Sequence, residues 1–426
     1  MLTHNNFNHE VIIVGAGIAG IAASKILTKK DIPHIILEAS NRVGGRAKKA
    51  PDHFGSWFDI GCSYLHEGEI NPFVGISQSL NTPVKTNMGD QFSLEKTKFL
   101  INGLCLSKEA RKSILEEEQI FKDKLSKAKH YPSDKALSSY LNITSSYFPI
   151  FSNLLTGLNG VEPNLVSLKD FASVKEGQDF IIESGMANLI EKWGSNLTVK
   201  FNTAVKNVSW TENRVHIETT NGGFNSKKLL ITVSNGILSS NQINFLPELP
   251  DYKIAAIRNL PMATLNKVGL CFRDGTFQKN HEGWYVICSG PSETSISSVM
   301  SFEIRTKPKN HMIIFFGGKE AKELELSPKK VLKRIRLMLS NTFGHEVLER
   351  ITKSITSSWG LDEYSLGSYS YALPGKNKDR DLLRKSIDDT LFFAGEATEK
   401  YHYGTCHGAY FSGVRAAKEI IPKLKL

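Results

Sequence analysis

The chain lacks most of what would mark a secreted, membrane or metal-finger protein. Only five of its 426 residues are cysteine (Cys62, Cys105, Cys271, Cys288 and Cys406), and no two form a CxxC pair. Such scatter indicates neither a disulfide framework nor a zinc site, so no metal is expected, and it fits reduced thiols in a cytoplasmic protein. No apolar run approaches the ~20 residues of a membrane helix; Val11–Val14, Ile35–Leu37 and Leu229–Val233 are of strand length, and no membrane partner is expected. Residues Met1–Glu10 carry neither a basic nor an apolar leader segment, so a secreted form is not expected. There is also no basic block. The net charge is +10, but Lys and Arg are spread along the chain, which reads as solvated surface charge and not as a nucleic-acid footprint.

What is present is an ordinary globular composition, 40% hydrophobic and 23% charged, with no internal repeat and no low-complexity tract. At 426 residues the chain is long enough for two domains with separate cores. Glu10–Val14 reads as a buried strand, Gly15–Gly20 as a glycine-rich turn, Ile21–Lys29 as a helix and Ile35–Leu37 as a second strand. Lys108–Ser126 reads as an exposed amphipathic helix within a helical layer that runs to about Leu158. Short strands follow at Thr198–Phe201, Val205–Trp210, Arg214–Thr219 and Leu229–Val233, with a turn at Asn221-Gly222-Gly223. A second strand-rich stretch (Lys267–Phe272, Gly283–Cys288, Ser297–Ile304, His311–Phe316) is expected to form an antiparallel sheet before the helix Pro328–Asn341. Leu391–Ala394 and Gly408–Ile420 form a final strand and helix, the helix with small residues on one face.

The first unit carries chemistry. Gly15-Ala16-Gly17-Ile18-Ala19-Gly20 satisfies GxGxxG between a strand and a helix, and Glu38 follows 18 residues after Gly20. Gly15 permits the turn, Gly17 lets the backbone approach a pyrophosphate and Gly20 allows close helix packing, while the helix N-terminus offers N–H groups to phosphate. Glu38 can accept both ribose hydroxyls and would repel a 2′-phosphate, which argues for a dinucleotide other than NADP.

Beyond Glu38 the sequence becomes specific. Glu38-Ala39-Ser40-Asn41-Arg42-Val43-Gly44-Gly45-Arg46 is similar to the signature of glutathione-reductase-like FAD enzymes, above all the flavin-containing amine oxidase superfamily. Further segments resemble that family in order along the chain. These are Phe58-Asp59-Ile60-Gly61-Cys62-Ser63-Tyr64-Leu65-His66, Thr203-Ala204-Val205, the run Thr232 to Leu238 with Ser234 in place of a proline, and Leu391–Glu396 with Gly404–Gly413. The resemblance implies an α/β fold, with a Rossmann-like FAD-binding domain (1–78, 177–250 and 384–426) and an α+β substrate domain (79–176 and 251–383). It assigns to FAD the residues Gly15, Gly17, Ala19, Gly20, Glu38, Ala39, Gly45, Arg46, Gly61, Cys62, Ser63, Tyr64, Val205, Trp359, Gly395, Glu396, Thr405, Cys406 and Ala409. Glu396 would lie near the ribityl-pyrophosphate, the Val205 backbone would read adenine, and Thr405-Cys406 with the following helix N-terminus would stabilise charge on the reduced flavin.

For catalysis the resemblance points to Lys267, which would reach the flavin through a water, to Tyr369 and Trp359 as aromatic walls, with Tyr364 nearby, and to Thr405 opposite them. Gly367-Ser368-Tyr369-Ser370-Tyr371 is especially similar to the polyamine oxidase and lysine-specific histone demethylase branch. Read as residues alone, the lesser alternatives are a lysine at a strand edge for Lys267 and core rings on alternating strand positions for the aromatics. Ser40 replaces a cofactor-proximal arginine of many members, Thr405 replaces a second aromatic, and Ser368 replaces the cysteine that bonds FAD covalently in monoamine oxidases, so noncovalent FAD is implied. The activity implied is oxidation of a primary or secondary polyamine or monoamine to an imine that hydrolyses to an aldehyde, with oxygen reduced to hydrogen peroxide. An L-amino acid oxidase, a flavin desaturase and a nonenzymatic FAD-stabilised binding protein remain alternatives, and the oligomeric state is not legible.

Overall fold

The computed structural model describes residues 9–86, 94–175 and 177–424. All but the last two residues of the polar start Met1–Glu10 lie outside them. An eight-stranded sheet has the order Asn244–Leu246, Val205–Thr211, Arg214–Thr219, Gly222–Ile231, His9–Val14, His34–Leu37, Val199–Lys200, and Leu391–Phe393 pairs beside the end of Gly222–Ile231. His9–Val14 lies parallel to both neighbours, with Ile12 opposite Leu229 and Ile35. Its side chains alternate between two cores. Val11 and Ile13 face the helices Ile18–Thr28 and Cys406–Ile420, whereas Ile12 and Val14 face a core with Val208, Ile217 and Leu391. Burial on both faces explains why these strands read as continuous apolar runs.

Small residues set the close packing of that first core. A Cβ on Gly413 would lie 2.1 Å from the Ala19 carbonyl oxygen, so only glycine lets the C-terminal helix approach the glycine-loop helix this closely. That helix begins at Ile18, not Ile21, because the turn is complete once Gly17 serves as the N-cap; Gly20 is already helical, and a Cβ there would meet the Gly15 oxygen at 2.0 Å.

A second, seven-stranded sheet runs Ile351–Thr356, Leu265–Phe272, His311–Gly317, Ser298–Arg305, Gly283–Ser289, Lys98–Ile101, Leu104–Cys105. It is mixed, where the sequence suggested antiparallel, because Lys98–Ile101 joins parallel to Gly283–Ser289. That strand and Leu104–Cys105 come from a stretch for which the sequence suggested no element; Asn102 and Gly103, both at positive φ, make the two-residue hairpin turn between them. The turn read at Asn221-Gly222-Gly223 lies at Thr220-Asn221, and Gly222 and Gly223 already belong to the following strand, Thr219 pairing with Gly222. A small third sheet (Tyr64–Leu65, Phe180–Ile182, Val84–Lys85) lies between the parts of the chain that build the other two. Helix Asp251–Asn259 buries Ala256 and Ile257 in the same core as Val208 and Leu391, so it packs with the first sheet. No helix among the described residues is long and apolar enough to cross a membrane.

Candidate active site

One cavity of about 1470 Å³ runs through the molecule, beyond the ~300–1,000 Å³ of an ordinary small-ligand pocket. Every candidate residue named above lines it except Gly20, whose place is in helix packing. At one end lie Gly15, Gly17, Glu38, Ala39 and Val205. The glycine-loop helix opens there with no side-chain cap on its N-terminal N–H groups, and a Cβ on Gly17 would find no protein atom within 4 Å. Uncapped N–H groups beside open space form an anion cradle, which fits the pyrophosphate of FAD. Glu38 is buried and accepts from the N–H of Ala16 (2.7 Å) and from the N–H and Oγ of Ser40 (2.9 and 2.7 Å), fixing its carboxylate where a ribose would lie.

Arg46 links the two ends of the chain. It donates to the Ser368 carbonyl (2.9 Å) and to Glu396 Oε1 (2.8 Å). Glu396 also accepts from the Ser370 N–H and Oγ and from the Gly404 N–H, so both its oxygens are occupied by protein donors. Burial pulls its pKa up, but Arg46 and Arg380 hold it below the usual carboxylate range. Beneath this cluster, Arg380 pairs through two nitrogens with Asp170 at 2.8 Å, both side chains being about 1% exposed.

Lys267 occupies an interior strand of the second sheet, not an edge. Val268, Leu270 and Phe272 point into that sheet's core, which turns Lys267, Gly269 and Cys271 to the opposite face, towards the Phe58–Ser63 segment. Its Nζ donates to the carbonyls of Gly61 (2.5 Å) and Asp59 (3.2 Å) and to Ser63 Oγ (2.5 Å). Burial lowers its pKa to about 8, against the opposing pull of Asp59 and Cys62. Burial likewise raises Asp59 to about 6, although the Ala187 and Met186 N–H groups favour its charged form. Trp359 is buried, its indole donating to the Ile60 carbonyl (3.1 Å). Tyr369 donates to the Leu158 carbonyl (2.7 Å), and of its segment Ser370 alone makes a strand-like bridge, to Met262. Tyr364 lies at the rim, 45% exposed. Ser368 Oγ donates to the Ala263 carbonyl and accepts from the Leu265 N–H. Thr405 caps the C-terminal helix through the Gly408 N–H, and the thiol of Cys406 at the first helical position contacts that of Cys62, which together with burial raises its pKa.

The sequence did not single out several cavity residues. Phe315 pairs directly with Lys267 across the strands, and Trp284 stacks on Phe315 at 5.2 Å, so a further aromatic wall adjoins the lysine. The carboxylates Glu118 (helix Lys108–Ser126), Asp179 (just before strand Phe180–Ile182) and Glu320 (helix Gly318–Leu326) line the cavity, paired with Lys122, His66 and Arg334 respectively. Glu67, His402 and His407 cluster in its wall. Sheet register would have paired Phe315 with Lys267, but no local pattern announces the others.

A family model described as flavin containing amine oxidoreductase matches residues 18–421. Polyamine oxidase 4 of Oryza sativa subsp. japonica is 29% identical, over 96% of this chain and 88% of its own length. Lysine-specific histone demethylase 1 homolog 1 of Arabidopsis thaliana is 27% identical over 96% of this chain, which spans 52% of that longer protein. Among solved structures, a double mutant of putrescine oxidase with redesigned cofactor binding superposes with a TM-score of 0.77 at 16% identity, covering 98% of this chain and 99% of its own.

Proposed function

Since the chain belongs to the flavin-containing amine oxidoreductases, an FAD-dependent enzyme family, we propose that its own substrate is a polyamine and its electron acceptor oxygen. The observation that carries this reading is the trio of carboxylates. Glu118, Asp179 and Glu320 line the cavity on separate segments, so a substrate with several separated ammonium groups finds several counter-charges in exchange for their partners Lys122, His66 and Arg334, which a monoamine would not use. Named polyamine oxidases among the relatives support it. A carboxylate-bearing amino acid would meet the same groups as like charges.

FAD supplies the two-electron acceptor chemistry, and the protein supplies position and charge. The substrate loses a hydride equivalent and a proton to become an imine, water cleaves the imine to an aldehyde and an amine, and oxygen takes the two electrons and two protons as hydrogen peroxide. Tyr369, Trp359, Phe315 and Trp284 present aromatic surface that orients the amine. The reacting nitrogen must be neutral so that its lone pair can assist loss of the hydride equivalent from the adjacent carbon, and the carboxylates therefore serve the distal ammonium groups. Lys267 ties the Asp59–Ser63 segment to the second sheet and offers a proton-holding Nζ beside the reacting end. The uncapped helix at Ile18 holds phosphate, and the helix that starts at Cys406 directs its N-terminal partial positive charge into the cavity. In this reading 1–78, 177–250 and 384–426 form the FAD-binding domain, joined by 251–260, and 79–176 with the rest of 251–383 form the substrate domain. A cytoplasmic site of action accords with five free thiols.

The test is anaerobic mixing of the FAD-loaded protein with a triamine, a diamine, a monoamine and an amino acid while flavin absorbance is followed. The triamine or diamine should bleach the flavin fastest, and Glu320→Gln should raise KM for the triamine more than for the monoamine. Bleaching by the amino acid or monoamine alone would overturn the reading.

A further inference from the structure

Glu67, His402 and His407 are brought together from positions more than 300 residues apart in sequence. One ligand atom from each lies within 4.8 Å of the other two. Glu67 Oε2 is 3.1 Å from His402 Nε2 and 3.2 Å from His407 Nε2. Metal–ligand bonds of about 2.0–2.1 Å at tetrahedral angles place neighbouring ligand atoms about 3.3 Å apart, so these two edges are already close to the geometry of a coordinated ion. All three residues are buried.

Hydrogen bonding leaves the cluster incomplete. His407 has an aligned contact with Glu67, but His402 has none: both its ring nitrogens are buried without a hydrogen-bond partner, Nε2 facing Glu67 out of line and Nδ1 standing 3.8 Å from Glu399 Oε1. Two such orphaned nitrogens on one imidazole are costly unless something else takes them up. A carboxylate behind a metal-binding histidine is the usual way its ring is oriented, and Glu399 stands in that place.

We propose that Glu67, His402 and His407 bind a divalent transition-metal cation such as Zn²⁺ at the wall of the cavity. Two imidazoles and one carboxylate form a donor set for borderline cations, unsuited to Mg²⁺ or Ca²⁺. With three protein ligands the ion keeps an open position, and because all three residues line the cavity that position is accessible to water or to a neutral amine nitrogen.

The experiment uses the full-length, FAD-loaded protein, stripped with a chelator and titrated with Zn²⁺ against a chromophoric competitor, with metal content read by elemental analysis. One equivalent should bind. Loss of a second-shell partner typically weakens a site 10–100-fold, so loss of a ligand in His402→Ala or Glu67→Gln should weaken it by at least about 100-fold. His402→Ala also removes buried packing against Phe411, so the comparison is the rise in melting temperature on adding Zn²⁺, which the parent should show and the variant should lack. Co²⁺ should give visible bands to the red of oxidised flavin in the parent and not in the variants. Failure to bind an equivalent, or binding that both variants leave intact, overturns the proposal whatever the enzyme's substrate.

Discussion

Lys267→Met tests whether the buried lysine is held against its own charge. Its pKa falls from 10.5 in the unfolded chain to about 8 in the fold, chiefly through burial. At 1.36 kcal/mol per unit, the ammonium form costs about 3 kcal/mol of stability. The sign follows from proton counting. Between pH 8 and 10.5 the unfolded chain binds more protons at this site than the folded protein, so stability rises with pH across that window. The penalty is full below pH 8 and absent above 10.5. Methionine removes the titration, and it also removes three hydrogen bonds worth about 1 kcal/mol each. At pH 7 the two effects nearly cancel, so a single melting temperature decides nothing.

The informative quantity is the difference between parent and variant as pH changes. With an unfolding entropy of about 2.1 cal/mol/K per residue, 3 kcal/mol corresponds to roughly 3–4 °C in this chain. Measured with saturating FAD, the parent's melting temperature should gain that much on the variant's between pH 7 and pH 10. Alkaline titration of other groups affects both proteins and drops out; Asp59, at about 6, titrates outside the window. Steady-state activity cannot substitute, because the amine substrate titrates in the same range. Melting curves that stay parallel across the window would refute the depressed lysine.

Gly17→Val should give a folded protein without flavin, because its side chain enters open cavity and touches no protein atom; the ratio of flavin to protein absorbance reads this, and full flavin content would place the phosphates elsewhere. Asp170→Asn leaves the buried Arg380 without its charge partner and should cost about 3–5 kcal/mol. Because Arg380 also donates to Ser370 Oγ, which holds Glu396, the same variant should release flavin at a lower temperature than the parent, and retention to the parent's temperature would separate the ion pair from the cofactor site.

What could be read in the sequence was chemistry performed by the main chain. The glycine turn and the helix that opens after it lie within a few consecutive residues, so their spacing carries their geometry, whereas the C-terminal helix starts at Cys406 under a Thr405 cap, two residues before the Gly408 expected. The hairpin at Asn102-Gly103 was equally local and was passed over because its strands are only four and two residues long. What could not be read was chemistry performed by side chains that meet through sheet register and helix packing. Phe315 faces Lys267 only because Leu265–Phe272 pairs with His311–Gly317 in one register, and a one-residue slip would send the ring to the opposite face. Asp170 and Arg380 lie 210 residues apart, and Glu67 and His407 340. In the proposed reading the division falls along the cavity itself: the end offered to phosphate is made of consecutive backbone N–H groups, whereas the end offered to substrate is made of single residues from many segments. On that reading a point substitution at Glu118, Asp179 or Glu320 changes substrate choice while every cofactor motif stays intact, which is how the family resemblance can be so plain and yet leave the amine open.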